Sequence, residues 1–65
     1  MNIDHLKTYL EIASTGSFLR AAEQLHVTQS TVSARIKSLE ERLGEPLFTR
    51  HRSGVELTAP GRQFL

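Results

Sequence analysis

Four side chains in the stretch "TQSTVSARIK" make directional hydrogen bonds: Gln29 offers an amide donor beside an amide acceptor, and Ser30, Thr31 and Ser33 offer hydroxyls that do either. Two arginines follow in "FTRHRSG", at positions 50 and 52. Each guanidinium is permanently charged and presents a planar fork of donors. Brought onto one surface, these groups suit a partner that is both negatively charged and rich in hydrogen-bonding edges. Scattered, they are caps, solvated hydroxyls and a charged strand edge.

Catalytic chemistry finds no comparable set. His5, His26 and His51 fall in different parts of the chain, at spacings that match no single-helix metal pair. The serines lack a nucleophile elbow, the glycines form no phosphate-cradling loop, and 65 residues leave little room for a cleft. The expectation is a non-enzyme with no cofactor and no metal. With no cysteine, neither disulfides nor thiolate metal sites support the fold, so a helical core must. No apolar run approaches the roughly 20 residues of a membrane span, and the N-terminus lacks a signal-peptide pattern. A cytoplasmic protein with no membrane partner is expected.

The net charge of +1 is uninformative by itself, but its distribution is not. Residues 1–19 sum to −1, and residues 20–43 and 44–65 to +1 each. Glu40, Glu41 and Glu45 collect in one stretch, leaving Arg35, Lys37, Arg50 and Arg52 to act locally.

The elements that must position these groups follow from periodicity. Leu6, Tyr9, Leu10 and Ala13 recur at i, i+3, i+4 and i+7, which predicts a core-facing first helix capped by Asn2 and ended by Gly16. Phe18, Ala21, Ala22 and Leu25 repeat that spacing in a short second helix capped by Ser17, whose paired alanines admit a close neighbour. His26 falls in a turn position that calls for positive φ, and Val27 points inward to pin the turn. Thr28 caps a third helix whose Val32, Ile36, Leu39 and Leu43 lie within about 40° of one line at about 100° per residue. Gln29, Thr31, Ser33 and Arg35 flank that stripe, Ser30, Ala34, Lys37 and Glu41 oppose it, and Gly44 ends the helix. Beyond it, Leu47 to Arg50 and Val55 to Leu57 read as a β-hairpin joined by a turn that includes Ser53 and Gly54, with both arginines on one side of the ribbon. Thr58 then caps a last helix with Pro60 in its first turn. That helix opens without a stop signal, so the sequence reads as a fragment of a longer protein.

Helix, tight turn, helix and hairpin make a winged helix-turn-helix: mainly α, a three-helix core plus a small β-hairpin wing. In that arrangement the third helix enters the DNA major groove. Its N-terminal residues reach base edges, where Gln pairs with adenine and Ser or Thr serves several bases or a phosphate. Arginines on the wing would meet phosphates or a narrow minor groove. A winged-helix module that docks a protein through the same polar face is the rival, although that face carries no large apolar anchor. A structural appendage of an enzyme is a third reading, which would need a catalytic motif beyond Leu65.

The stretch "AAEQLHVTQSTVSARIKSLEERLGEPLFTRHRSGVELTAPG" closely resembles the N-terminal DNA-binding domain of LysR-type transcriptional regulators, and the likeness extends over essentially all 65 residues. The resemblance implies a DNA-binding domain over residues 1–58, the start of a dimerising linker helix over 59–65, and a C-terminal domain that binds a small-molecule effector. It further implies double-stranded operator DNA as partner and a homodimer or tetramer in the full-length protein. Carried over, Thr28, Gln29, Ser30, Thr31 and Ser33 fall on the recognition helix and Arg50 and Arg52 on the wing. Three positions depart from the family pattern. Ser30 stands where proline is frequent and keeps a hydroxyl and an N–H. Ala34 stands where arginine is frequent, so readout there is apolar or passes to Arg35 or Lys37. Pro60 replaces a commoner alanine.

Overall fold

The computed structural model describes residues 2–65, so Met1, the first residue of the expected domain, lies outside it. The element order is α1 (Ile3–Thr15), α2 (Phe18–Leu25), α3 (Gln29–Leu43), β1 (Phe48–His51), β2 (Gly54–Leu57) and α4 (Ala59–Gln63). Each helix starts where a short polar side chain meets an orphan N–H. Asn2 accepts from the Asp4 N–H at 2.7 Å, Ser17 from Arg20 at 3.1 Å, Thr28 from Thr31 at 3.2 Å and Thr58 from Gly61 at 3.1 Å. Caps of this kind stabilise by about 1 kcal/mol each. Gly16, His26 and Gly44 end the first three helices in the left-handed conformation, His26 at φ 58°. The turn between α2 and α3 therefore follows the sequence expectation.

The core is formed by Tyr9 and Ile12 of α1, Phe18, Ala21 and Ala22 of α2, Val32, Ile36 and Leu39 of α3, and Leu47 ahead of β1. Val27 and Leu43 pack against it from partly buried positions. On α2 and α3 this is the expected face. On α1 it is so only in part: Tyr9 is buried and Ala13 half-buried as expected, but Leu6 and Leu10 are 38% and 45% exposed, and Thr8 and Ile12 are buried in their place. Apolar residues cover a broad arc of α1, and spacing alone placed the centre of the buried face too far toward Leu6 and Leu10. Thr8 joins the core because its hydroxyl is satisfied internally, donating to the Asp4 carbonyl at 2.7 Å.

The hairpin pairs Phe48 with Leu57, Thr49 with Glu56, Arg50 with Val55 and His51 with Gly54. The turn is thus Arg52 and Ser53, inside the expected connection, and His51 and Gly54 at its two ends extend the strands. Gly54 is the first residue of β2 at φ 139°, and a Cβ there would stand 3.2 Å from the Gly16 carbonyl oxygen. The Val55 N–H donates to that same oxygen at 3.2 Å, tying the wing to the α1–α2 turn.

Tyr9 crosses from α1 to α4, where its hydroxyl donates to the Gly61 carbonyl. Burial of the phenol raises its pKa above the ordinary 10.0. The folded chain therefore holds this proton where the unfolded chain has begun to release it. The associated stability is intact below pH 10 and declines as the pH rises through the folded value. Tyr9→Phe should lose about 1 kcal/mol at neutral pH and show a shallower alkaline decline, read from urea unfolding across pH. An unchanged alkaline decline would assign it to other groups.

Candidate nucleic-acid interface

The N-terminal turn of α3 is open. Thr28, Gln29, Ser30 and Ala34 are exposed, and Thr31 is half-buried with its hydroxyl 2.9 Å from that of Thr28. One flank of the helix, carrying Gln29, Ser33 and Lys37 at successive turns, looks toward the wing. Among the described residues the large exposed apolar side chains lie at Ile3, Leu6, Leu10, Leu19, Phe64 and Leu65, and none is on α3.

Alternation along β1 places Phe48 and Arg50 on its inner face. Phe48 meets Tyr9 at a ring-centroid distance of 5.6 Å and Phe18 edge-on at 6.2 Å. Arg50 then covers the outer face of this aromatic group, its guanidinium carbon 3.8 Å from the Phe18 centroid, and donates from Nη2 to the Ser33 hydroxyl at 3.1 Å. The arginine is exposed yet held by a cation–π contact and a hydrogen bond. Arg52 sits in the hairpin turn, fully outside the strand. The two arginines were expected side by side along the ribbon. They occupy different elements of it, but line one hollow with Gln29, Ser17 and Phe18. Lys37 lines the neighbouring groove with Ser33, Glu40 and Arg50.

Arg35 goes elsewhere. It is half-buried on the opposite flank of α3 and donates from Nη1 to the Thr8 hydroxyl at 3.4 Å, bracing α3 against α1.

Three contributors escape a reading of the sequence. Phe18 looks like an ordinary core residue but is also the platform under Arg50. Thr8 is the acceptor for Arg35. Glu40 registers only as a negative charge, whereas its Oε2 accepts from the Leu47 N–H at 2.7 Å and the Phe48 N–H at 3.4 Å, fixing the entry to the wing. The one available signal is Pro46, which leaves the two following N–H groups at the start of an extended run.

His51 and Glu56 pair across the hairpin's outer face at 3.7 Å. Among the described residues no group of three or more His, Cys, Asp or Glu side chains is arranged to hold a metal, and no helix is long and apolar enough to cross a membrane.

Three packed helices, with the third presenting a polar N-terminal turn beside a cationic hairpin, define a winged helix-turn-helix domain. Residues 3–62 match the family described as bacterial regulatory helix-turn-helix protein, lysR family, and the chain belongs to that family. It is 54% identical over 65 residues to the HTH-type transcriptional regulator HdfR of Escherichia coli, and equally to HdfR of Escherichia fergusonii. All of this chain is covered in each case, and it spans 23% of the relative's length. Its fold superposes on the CbnR DBD–DNA complex with a TM-score of 0.96 at 38% identity, covering 100% of this chain and 75% of that one. For the BenM DBD/catB site 1 DNA complex the TM-score is 0.93 at 34% identity, covering 98% and 72%.

Proposed function

We propose that this chain is the DNA-binding domain of a LysR-type transcriptional regulator, with α3 seated in the major groove and the wing on the flanking backbone or minor groove. The observation that carries the reading is that the open N-terminal turn of α3 and the wing arginines line one surface, with Gln29, Arg50 and Arg52 around a single hollow. The relatives of the same fold that were solved with DNA support it. Gln29, Ser30, Thr31 and Ser33 read base edges, with Thr28 at the phosphate that abuts the helix N-terminus. Ala34 supplies an apolar contact such as one to a thymine methyl, and Lys37 and Arg52 meet phosphates. Arg35 acts mainly by holding α3 in place.

The same reading makes the domain non-enzymatic and free of any cofactor. It treats α4 as the start of a linker helix that pairs two subunits, assigns a small-molecule effector to a C-terminal domain outside residues 1–65, and places the protein in the cytoplasm with its operator.

Fluorescence anisotropy of this chain with a random-sequence duplex across a salt series tests it. Affinity should fall log-linearly with salt, by about 0.9 in slope for each phosphate neutralised. Arg52→Ala should weaken binding to all duplexes alike and reduce the slope by about one. No binding at low salt would overturn the reading, and an unchanged slope would remove Arg52 from it.

A further inference from the structure

Ordering a long, flexible side chain at an interface weakens binding, and an arginine held in place beforehand avoids that loss. Arg50 is exposed, yet its guanidinium carbon lies 3.8 Å from the Phe18 centroid and its Nη2 donates to the Ser33 hydroxyl. The ring beneath it is fixed in turn: Phe18 is buried, Phe48 stands across it at 79°, and Phe48 packs against Tyr9. How the arginine is held matters as much. A carboxylate would restrain it by neutralising it, whereas a ring face attracts the cation through its quadrupole and leaves the charge and the remaining N–H donors open. Glu40 lines the same groove, but its Oε2 accepts from the Leu47 and Phe48 N–H groups, and among the described residues no carboxylate pairs with Arg50.

We infer that Phe18 is a positioning residue for the nucleic-acid contact, a buried side chain on α2 that sets affinity by holding Arg50 poised and charged between the wing and α3. The inference rests on the DNA-binding reading above and adds that Arg50 keeps its seat on the ring when the duplex is bound. Leucine would fill much of this part of the core but offer the cation no quadrupole. An aromatic ring at position 18 thus serves the interface as well as the core.

Duplex anisotropy across a salt series tests the inference, on the unaltered chain and on one synthesised with pentafluorophenylalanine at position 18. Fluorination nearly keeps the ring's shape and reverses its quadrupole, so the core stays filled while the cation loses its attraction. Affinity should fall about fivefold at every salt concentration, the effect of having to order one arginine on binding, with the salt slope unchanged because the charge remains. Arg50→Met should weaken binding and lower the slope by about one, and in that background fluorination should change nothing further. Phe18→Leu should reproduce the loss of affinity, with urea unfolding confirming that each variant is folded under the assay conditions.

Equal affinity of the unaltered and fluorinated chains would overturn the inference while leaving the DNA reading standing. So would tighter binding by the fluorinated chain, which would make the ring a restraint that Arg50 must leave. Additive losses when fluorination and Arg50→Met are combined would assign the effect to the core alone, and an Arg50→Met chain with an unchanged slope would make Arg50 a brace rather than a contact; either result also overturns it. Failure of the unaltered chain to bind any duplex would instead remove the DNA reading and the inference with it. NMR of the free, unaltered chain gives a check that needs neither DNA nor a variant. The Arg50 δ and ε protons should be shifted upfield by the Phe18 ring, and random-coil positions for them would overturn the inference.

Discussion

Gly61→Ala should lower the melting temperature by roughly 10 °C, a loss of about 1–3 kcal/mol in a domain of this size. Helix propensity alone gives the opposite sign, since alanine within a helix is favoured over glycine by about 1 kcal/mol. Packing decides the matter. Gly61 is buried in α4, and a Cβ there would run into the backbone carbonyl of Leu47 and stand 3.0 Å from Leu57 Cδ2. A backbone oxygen cannot rotate away as a side chain does. Leu47 is itself fully buried, and its carbonyl already accepts from the Thr58 N–H at 3.0 Å. Relief would require α4 to lift, breaking the Tyr9 bond to the Gly61 carbonyl. Thermal melting followed by circular dichroism reads the effect, and an unchanged or raised midpoint would mean that α4 does not dock on Leu47.

Glu40→Ala should weaken both stability and duplex binding, although it removes an acid from the groove that holds Lys37 and Arg50. Charge counting predicts tighter binding to a polyanion. The structure opposes this, because Glu40 is the acceptor for two consecutive N–H groups at the entry to β1. Removing it leaves the Leu47 N–H, in a fully buried residue, without its partner, at a cost of about 1.5–3 kcal/mol for bonds to a charged acceptor. The wing is displaced as a result, carrying Arg50 away from Ser33. Glu40→Gln keeps an acceptor oxygen and should lose less than half as much. Urea unfolding and duplex anisotropy on both variants separate the two arguments. An equally stable Glu40→Ala chain that binds more tightly would refute the structural one.

What was legible in the sequence was what depends on near neighbours along the chain. The four caps, the left-handed His26, and the stripe of Val32, Ile36 and Leu39 are each settled by residues no more than a few turns apart, and each is found as expected. The buried face of α1 was legible only at Tyr9, because Leu6, Leu10 and Ile12 spread around the helix and only contact with α2 and α3 selects among them. The hairpin turns at Arg52 and Ser53, so Arg52 lies outside the strand and does not alternate with Arg50. The site residues were found by type, but their partners were not. Arg35 with Thr8 and Arg50 with Ser33 join positions 27 and 17 residues apart, and nothing local marks those pairings.

The root of the wing has a mechanical consequence. Glu40 holds its entry, the Gly16 carbonyl holds Val55 at the start of its second strand, and Arg50 links its inner face to α3. These anchors reach all three helices that carry the core: the turn after α1, the platform on α2 and the flank of α3. The hairpin is thereby clamped, and its span to α3 acts as a fixed calliper. Under the proposed DNA-binding function, a duplex whose grooves do not match that span would itself have to flex, so its stiffness would enter the affinity without any contact to the segment that bends.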